Sequence, residues 1–479
     1  MSAAPLSTSA EPRGASLPRV FISAAHKSSG KTTLTLGLAA ALHARGHVVQ
    51  PFKKGPDYID PQWLAMAAER PCYNLDFHLM RRDEIERQFA HAARGARVSL
   101  IEGNKGLYDG LSLDGSNSNA ALAKLLGVPV VLVIDARGMT RGVAPLILGY
   151  QAFDCDIHIA GVILNNLGGS RHESKLRAVI EHYTDAEVIG AVQHDSAMQI
   201  TERHLGLVPA NEQEAARARI RHVGERVEAQ VDLDALLAIA DAALARPVAA
   251  PVAAAPPGAP VRVAIARDAA FGFYYSEDLD ALRAAGAELV PFDTLAAPAL
   301  PPGVDGLIIG GGFPEVFMAE LEANAALRAS IHGAIDAGLP AYAECGGLMY
   351  LSRSLAWQGQ TRQMVGAVPG DTVMHDRPVG RGYAQLEPTG DDRWRESHSI
   401  PAHEFHYSSL ENLPPDSIFA YRVTRGHGID GVHDGYQRHN LLAGYAHRRG
   451  AGERGWIAPF LNQVRVHKAR ARAHTQGLT

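Results

Sequence analysis

Only three cysteines, Cys72, Cys155 and Cys345, occur in 479 residues. That is too few for a disulfide framework, and none lies in a CxxC pair that would hold zinc. A reducing, cytoplasmic setting is therefore expected. There is no excess of basic charge either: the formal net charge is −5, so no nucleic-acid partner is expected. No apolar run approaches the roughly 20 residues of a membrane span, and no membrane partner is expected. Residues 1–18, rich in Ala, Ser and Pro, lack the continuous apolar stretch of a signal peptide and are expected to be a disordered leader.

Hydrophobic residues make up 46% of the chain, enough for packed cores, and the length calls for two or three domains. The clearest boundary is the Ala/Pro-rich segment 246–260, which has the composition of a semi-rigid linker. Before it, in 19–245, short β-branched runs at Arg19–Ser23, Val48–Phe52, Val98–Glu102, Pro129–Asp135, Ile159–Asn165 and Glu187–Val192 alternate with helical patterns. That rhythm predicts an α/β domain with a parallel sheet. In 261–461 the alternation resumes at Val261–Ala266, Ala287–Pro291, Gly306–Gly310 and Pro340–Glu344. Beyond about Thr361 it gives way to short segments rich in His, Gly and Pro. Residues 462–479 are basic and weakly patterned, as in a solvated tail.

The first strand, ending Ile22-Ser23, runs through Ala24 to Ser29 into Gly30-Lys31-Thr32 and a helical pattern. A strand, glycine-containing loop and helix in this order surround phosphate oxygens with backbone N–H groups. Ser29, Gly30, Lys31, Thr32 and Thr33 are the candidate nucleotide-binding residues, and Thr32 would reach Mg²⁺. Ala25 replaces the first glycine of the GxxxxGK[ST] pattern. Lys54 to Pro61 and Glu102 to Gly110 follow the second and third predicted strands, at the edge where open α/β sheets bind ligands. Asp57 and Glu102 are candidate Mg²⁺ ligands, hard oxygens that suit this cation. Asp60, Asp109 and Asp114 fit helix capping equally well. Asn165, at the end of a later strand, offers an amide to a nucleotide base or serves a turn.

Pro340 to Glu344, then Cys345-Gly346-Gly347 and a helical pattern, has the order of a nucleophile elbow. The helix N-terminus there lowers a thiol pKa and offers N–H groups to an oxyanion. Gly346, with Gly311 and Gly312 of the second glycine-rich strand end, forms the candidate oxyanion site. His447 follows the apolar run Leu441-Leu442-Ala443 and is a candidate base, although among 22 histidines spacing alone does not select it.

Taken together, Lys54 to Asp60, Glu102 to Gly110, Ala266-Arg267-Asp268, Phe271 to Tyr275, Gly310 to Glu315, Ala343 to Gly347 and His403 to Ser408 resemble the cobyrinic acid a,c-diamide synthase family, from about Arg19 to Leu461. The resemblance implies a P-loop parallel-sheet domain followed by a class I glutamine amidotransferase-like α/β domain. It implies Cys345 as nucleophile, His447 as its base, ATP and Mg²⁺ at Lys31 and Thr32, and Asp57 and Glu102 as site carboxylates. Glutamine and a tetrapyrrole polycarboxylate would be the substrates, with cobyrinic or hydrogenobyrinic acid first and sirohaem or sirohydrochlorin as alternatives. A homodimer is compatible with it. Asp60, Tyr58, Lys105, His403 and His406 are the candidate substrate contacts, the two histidines from a loop. The glutamate often found two residues after the catalytic histidine of class I enzymes is replaced by Arg449. A reading from another class, a P-loop nucleotide-switch protein, would have no use for Cys345.

Overall fold

A computed structural model describes residues 17–198, 213–244, 258–390 and 398–477. The chain divides into two compact units, Met1–Thr201 with Arg217–Val252, and Glu202–Ala216 with Ala253–Thr479. Most of the leader and of the Ala/Pro linker expected at 246–260 lies outside the described residues.

The first unit is built on seven strands: β1 (Arg19–Ala24), β2 (Val49–Lys54), β3 (Tyr73–Leu75), β4 (Val98–Glu102), β5 (Val130–Asp135), β6 (Ile159–Leu167) and β7 (Val188–Gln193). They form one sheet in the order β3-β2-β4-β1-β5-β6-β7, and every pairing is parallel. Every residue of β1, β2, β4 and β5 is buried. Such continuous burial is what a parallel sheet covered on both faces produces, and it extends here to polar residues such as Lys53 and Glu102. β3, too short to show a period, was not among the expected strands. Because β2, β4 and β1 are neighbours, the segments leaving their carboxyl ends meet at one edge. Ile22 and Lys53 both lie beside Glu102 in register.

The second unit has a ten-stranded sheet. The strands Ala287–Phe292, Val261–Ala266, Gly306–Ile309, Ala341–Glu344 and Leu441–Gly444 run parallel to one another. The remainder, from His433–Arg438 outward, pair antiparallel. Alternate residues enter different cores: Ala341 and Ala343 pack with Leu307, Ile309, Leu441 and Ala443. Tyr342 packs with Ile308, Leu442, Trp456 and Phe460 on the opposite face. A strand's period of two accounts for this division.

The basic segment expected as a tail at 462–479 continues a helix, Ile457–Gly477: Phe460 and Leu461 are fully buried ahead of it and Val464 within it, while residues 469–473 are exposed. The apolar residues at spacing one, three and four mark a single helical stripe that basic neighbours obscure in composition. Truncating Phe460 to Ala should lower the unfolding free energy by about 3–5 kcal/mol. Arg472→Ala, on the exposed part of the helix, should stay within about 0.5 kcal/mol. Urea unfolding of both variants checks this; a Phe460→Ala chain as stable as the parent would refute the packing assigned to the helix.

Candidate functional sites

In the first unit β1 leads through a tight loop into α1 (Lys31–Ala44). Gly30 holds φ +81°, and a Cβ there would lie 2.2 Å from Asn165 Nδ2, so both conformation and space call for glycine. Asn165 Nδ2 donates to the Ser29 carbonyl at 2.8 Å. The amide thus fastens the loop, a use the base-contact expectation did not include. Ser29 Oγ donates to the His26 carbonyl at 2.8 Å, closing the loop from the other side. The first turn of α1 has neither a side-chain cap nor an acidic residue. Its N–H groups and the positive end of its dipole are therefore left for an anion.

A compact charge cluster lies beside this helix start. Thr32 Oγ1 donates to Glu102 Oε1 at 2.5 Å, with Lys31 Nζ at 3.3 Å and Lys53 Nζ at 2.9 Å from the same oxygen. Lys53 also pairs with Asp60. Burial works to lower the Lys53 pKa, but Asp60, Glu102 and Asp57 outweigh it and hold it well above the ordinary lysine value. Burial likewise works to raise Asp60, and Lys53 and Lys31 hold it below the usual carboxylate range. Glu102 Oε2 is buried and, among the described residues, has no hydrogen-bond partner.

The two aspartates divide the work differently from the expectation. Asp57 Oδ1 accepts from the N–H groups of Ile59 at 2.8 Å and Asp60 at 3.0 Å and so satisfies the first turn of the helix Ile59–Ala68, as a capping residue does. Burial and the neighbouring Asp60 push its carboxyl up to about 6. Asp60, weighed as a cap, instead lies 3.4 Å from Thr32 Oγ1. Asp109 and Asp114 accept backbone N–H bonds from Gly106 and Ser116. Tyr58 is buried and Lys105 exposed, with φ +43°. Thr33 is half-buried on the first turn.

In the second unit Cys345 stands between the strand Ala341–Glu344 and the helix Gly346–Leu351, at φ 47°, ψ −103°. For a non-glycine residue this conformation costs on the order of 1–3 kcal/mol and is kept where the surroundings impose it. The Cys345 N–H donates to the Gly444 carbonyl at 2.8 Å, which pins the elbow to the neighbouring strand. A Cβ on Gly346 would lie 2.8 Å from the Gly312 nitrogen, so the two glycine segments touch backbone to backbone. Gly311 in turn faces the His447 ring.

His447, two residues beyond Tyr445 on the chain leaving Leu441–Gly444, is buried and lies within the electrostatic reach of Cys345. Its Nδ1 is 3.5 Å from Glu344 Oε2. Burial works to lower its pKa, but the Cys345 sulfur and the Glu344 carboxylate prevail and push it up to about 10. The imidazole beside the sulfur is thereby held in its protonated form at neutral pH. Cys72 is buried and Cys155 exposed, both on the first unit.

His403 and His406 lie on the strand Ile400–His406, not on a loop, and both are buried. His403 stacks on His447 with ring centroids 4.9 Å apart. His406 stacks on Tyr445 at 4.0 Å and donates from Nδ1 to the Ser408 carbonyl at 2.8 Å. Burial holds it in the neutral form, with its pKa lowered to about 4. Both imidazoles therefore pack around the elbow's partners, which their expected role as substrate contacts did not foresee. Lys53 and Glu344 were missed by sequence reasoning. Each sits where parallel register, not local spacing, brings it to a site.

The sequence of residues 262–453 matches the model of the CobB/CobQ-like glutamine amidotransferase domain, and residues 18–200 match that of an AAA domain. Three curated relatives carry the name cobyrinate a,c-diamide synthase. The protein from Magnetococcus marinus is 49% identical over 93% of this chain and 96% of its own. That from Methanosarcina acetivorans is 45% identical over 92% and 94%, and that from Listeria monocytogenes serotype 4b is 40% identical over 90% and 95%.

The pKa displacement at His447 has a consequence for stability. A histidine raised from 6.5 to about 10 on folding adds stability that is complete below pH 6.5 and is lost as pH rises through 10. The difference in unfolding free energy between the parent chain and His447→Gln should therefore be largest near pH 6 and shrink steadily toward pH 10. A difference that stays constant across this range would contradict the assigned shift.

Proposed function

This chain belongs to the cobyrinate a,c-diamide synthase family, and from that premise we propose that it amidates the a and c acetate side chains of cobyrinic or hydrogenobyrinic acid, a step of cobalamin biosynthesis, using ATP and glutamine. The observation that carries the reading is Cys345, held in a strained elbow whose sulfur acts on the buried His447.

The Cys345 thiolate attacks the glutamine amide carbon, and the C–N bond breaks as His447 gives its proton to the departing ammonia. Backbone N–H groups of the Gly311–Gly312 and Gly346 segments are assigned to the oxyanion. Water then cleaves the thioester to glutamate and restores the thiol pair. In the first unit, a substrate carboxylate oxygen attacks the γ-phosphorus of ATP and ADP departs. The resulting acyl phosphate loses inorganic phosphate when ammonia attacks its carbonyl. The loop at Ser29 and Gly30 and the free N–H groups of α1 cradle the phosphates, and Lys31 turns from Glu102 to the transferring group.

Thr32, Glu102 and Asp60 are assigned to Mg²⁺. They present hard oxygens around one point, and the partnerless Glu102 Oε2 is buried there. When bound, the ion would neutralise charge on the β- and γ-phosphates. Asp57, occupied with the helix cap, supports this group by fixing where the helix bearing Asp60 begins.

Mass spectrometry after incubation with glutamine, MgATP and cobyrinic acid, hydrogenobyrinic acid, sirohydrochlorin or sirohaem tests the substrate. A loss of about one mass unit per carboxyl group turned to amide is expected with the first two. Conversion of only the latter two would overturn the assignment. Cys345→Ala should abolish glutamine-driven amidation while high ammonia still supports it. Lys31→Ala should abolish amidation from both nitrogen sources. Full glutamine use by the first variant, or undiminished ATP turnover by the second, would remove the corresponding role.

A further inference from the structure

We infer that Glu344, the residue immediately before the nucleophile, is the acid that orients His447, replacing the acid that class I enzymes often carry two residues after the histidine. This rests on the assignment of Cys345 and His447 as the glutamine-cleaving pair. At the position after the histidine where that acid would stand, Arg449 is present and lies 3.8 Å from Glu277 on another element. Both Glu277 and its neighbour Asp278 are buried, and Asp278 accepts the N–H groups of Gly450 and Ala451 at 2.8 and 2.7 Å. These carboxylates hold the chain after the histidine.

Strand geometry explains how Glu344 arrives. Alternation puts Tyr342 on the face away from Ala341 and Ala343, and Glu344, two residues on, shares that face. Its Oε1 accepts from Tyr342 Oη at 2.5 Å and from the Arg448 N–H at 3.0 Å. Tyr342 stacks on Trp456 at 4.1 Å, and Trp456 Nε1 donates to the Arg448 carbonyl at 3.3 Å. One carboxylate oxygen is thus fixed by two donors, themselves tied together through the indole. That leaves Oε2 turned toward His447 Nδ1, 3.5 Å away.

The same arrangement sets the chemistry. Nδ1–H directed at Glu344 leaves Nε2 for the sulfur, and the carboxylate stabilises the imidazolium that accompanies the thiolate. The distance calls for a small adjustment to become a good hydrogen bond, as is common before substrate binds. The other groups around His447 are Cys345 from the elbow, His403 stacked on it and in contact with Tyr275, His406 further along the same strand, and Arg448 next in the chain. Among the described residues, Glu344 is the carboxylate whose charge acts on the His447 ring, while Asp434 is engaged with the N–H groups of Tyr445 and Ala446. A role confined to holding Arg448 and Tyr342 would make Glu344 structural and leave the titration of His447 indifferent to its charge.

Glu344→Gln and Glu344→Asp separate these roles. For glutamine hydrolysis, Glu344→Gln should lower kcat about 10- to 1000-fold with little change in KM. The alkaline limb of its pH profile should move down by about one unit or more. Glu344→Asp should restore part of kcat and return the limb toward its original pH. The rate of iodoacetamide alkylation at Cys345, followed by peptide mass mapping, should fall in Glu344→Gln at neutral pH. Loss of activity with an unmoved pH limb and unchanged alkylation would overturn the orienting role. A Cys345→Ser variant measured alongside distinguishes the two levels: if it still hydrolyses glutamine, the nucleophile assignment itself fails. If it is inactive while Glu344→Gln keeps its profile, only the role of Glu344 fails.

Discussion

One stretch of parallel pairing governs the glutamine site: the strand Ala341–Glu344 lies against Leu441–Gly444, with Glu344 beside Gly444. The Gly444 carbonyl takes the N–H of Cys345 and so holds the residue in a conformation its side chain disfavours. The chain leaving Gly444 then passes over the elbow and brings His447 to the sulfur. Asp434 secures that passage by accepting the N–H groups of Tyr445 and Ala446 at 2.9 and 3.0 Å. A slip of one residue would turn Glu344 and His447 away together, since successive side chains face opposite sides of a sheet.

The phosphate-binding unit follows the same logic with charge in place of strain. β4 lies between β1 and β2, so Glu102 stands between Lys31 after the loop and Lys53, the residue before the last of β2. A buried carboxylate is costly unless paired, and here Lys31, Lys53 and Thr32 all reach one of its oxygens. Nucleotide phosphates would compete for Lys31 and leave Glu102 available to a cation.

Much of this was legible in order of residues alone. The run from Pro340 to Tyr350, an apolar strand, a cysteine, two glycines and a helix, specifies the elbow locally, and the strand–loop–helix at Gly30-Lys31-Thr32 does the same for phosphate. What escaped depends on contacts far apart in sequence. Lys53 acquires meaning only through its register with Glu102. Glu344 acquires it only through the strand that carries His447, while attention falls naturally on the position now held by Arg449. Which of Asp57 and Asp60 caps a helix depends on that helix beginning at Ile59, a boundary of one or two residues that composition does not fix. The buried stripe of Phe460, Leu461 and Val464 was masked by its basic neighbours in the same way.

The claim on which the glutamine site turns is that the Cys345 sulfur and the Glu344 carboxylate hold the His447 imidazole protonated. Nitrogen NMR of the His447 imidazole reads this directly. Both ring nitrogens should remain protonated through neutral pH, with the ring losing its proton only near pH 10. A ring that titrates near the ordinary 6.5 would contradict the account.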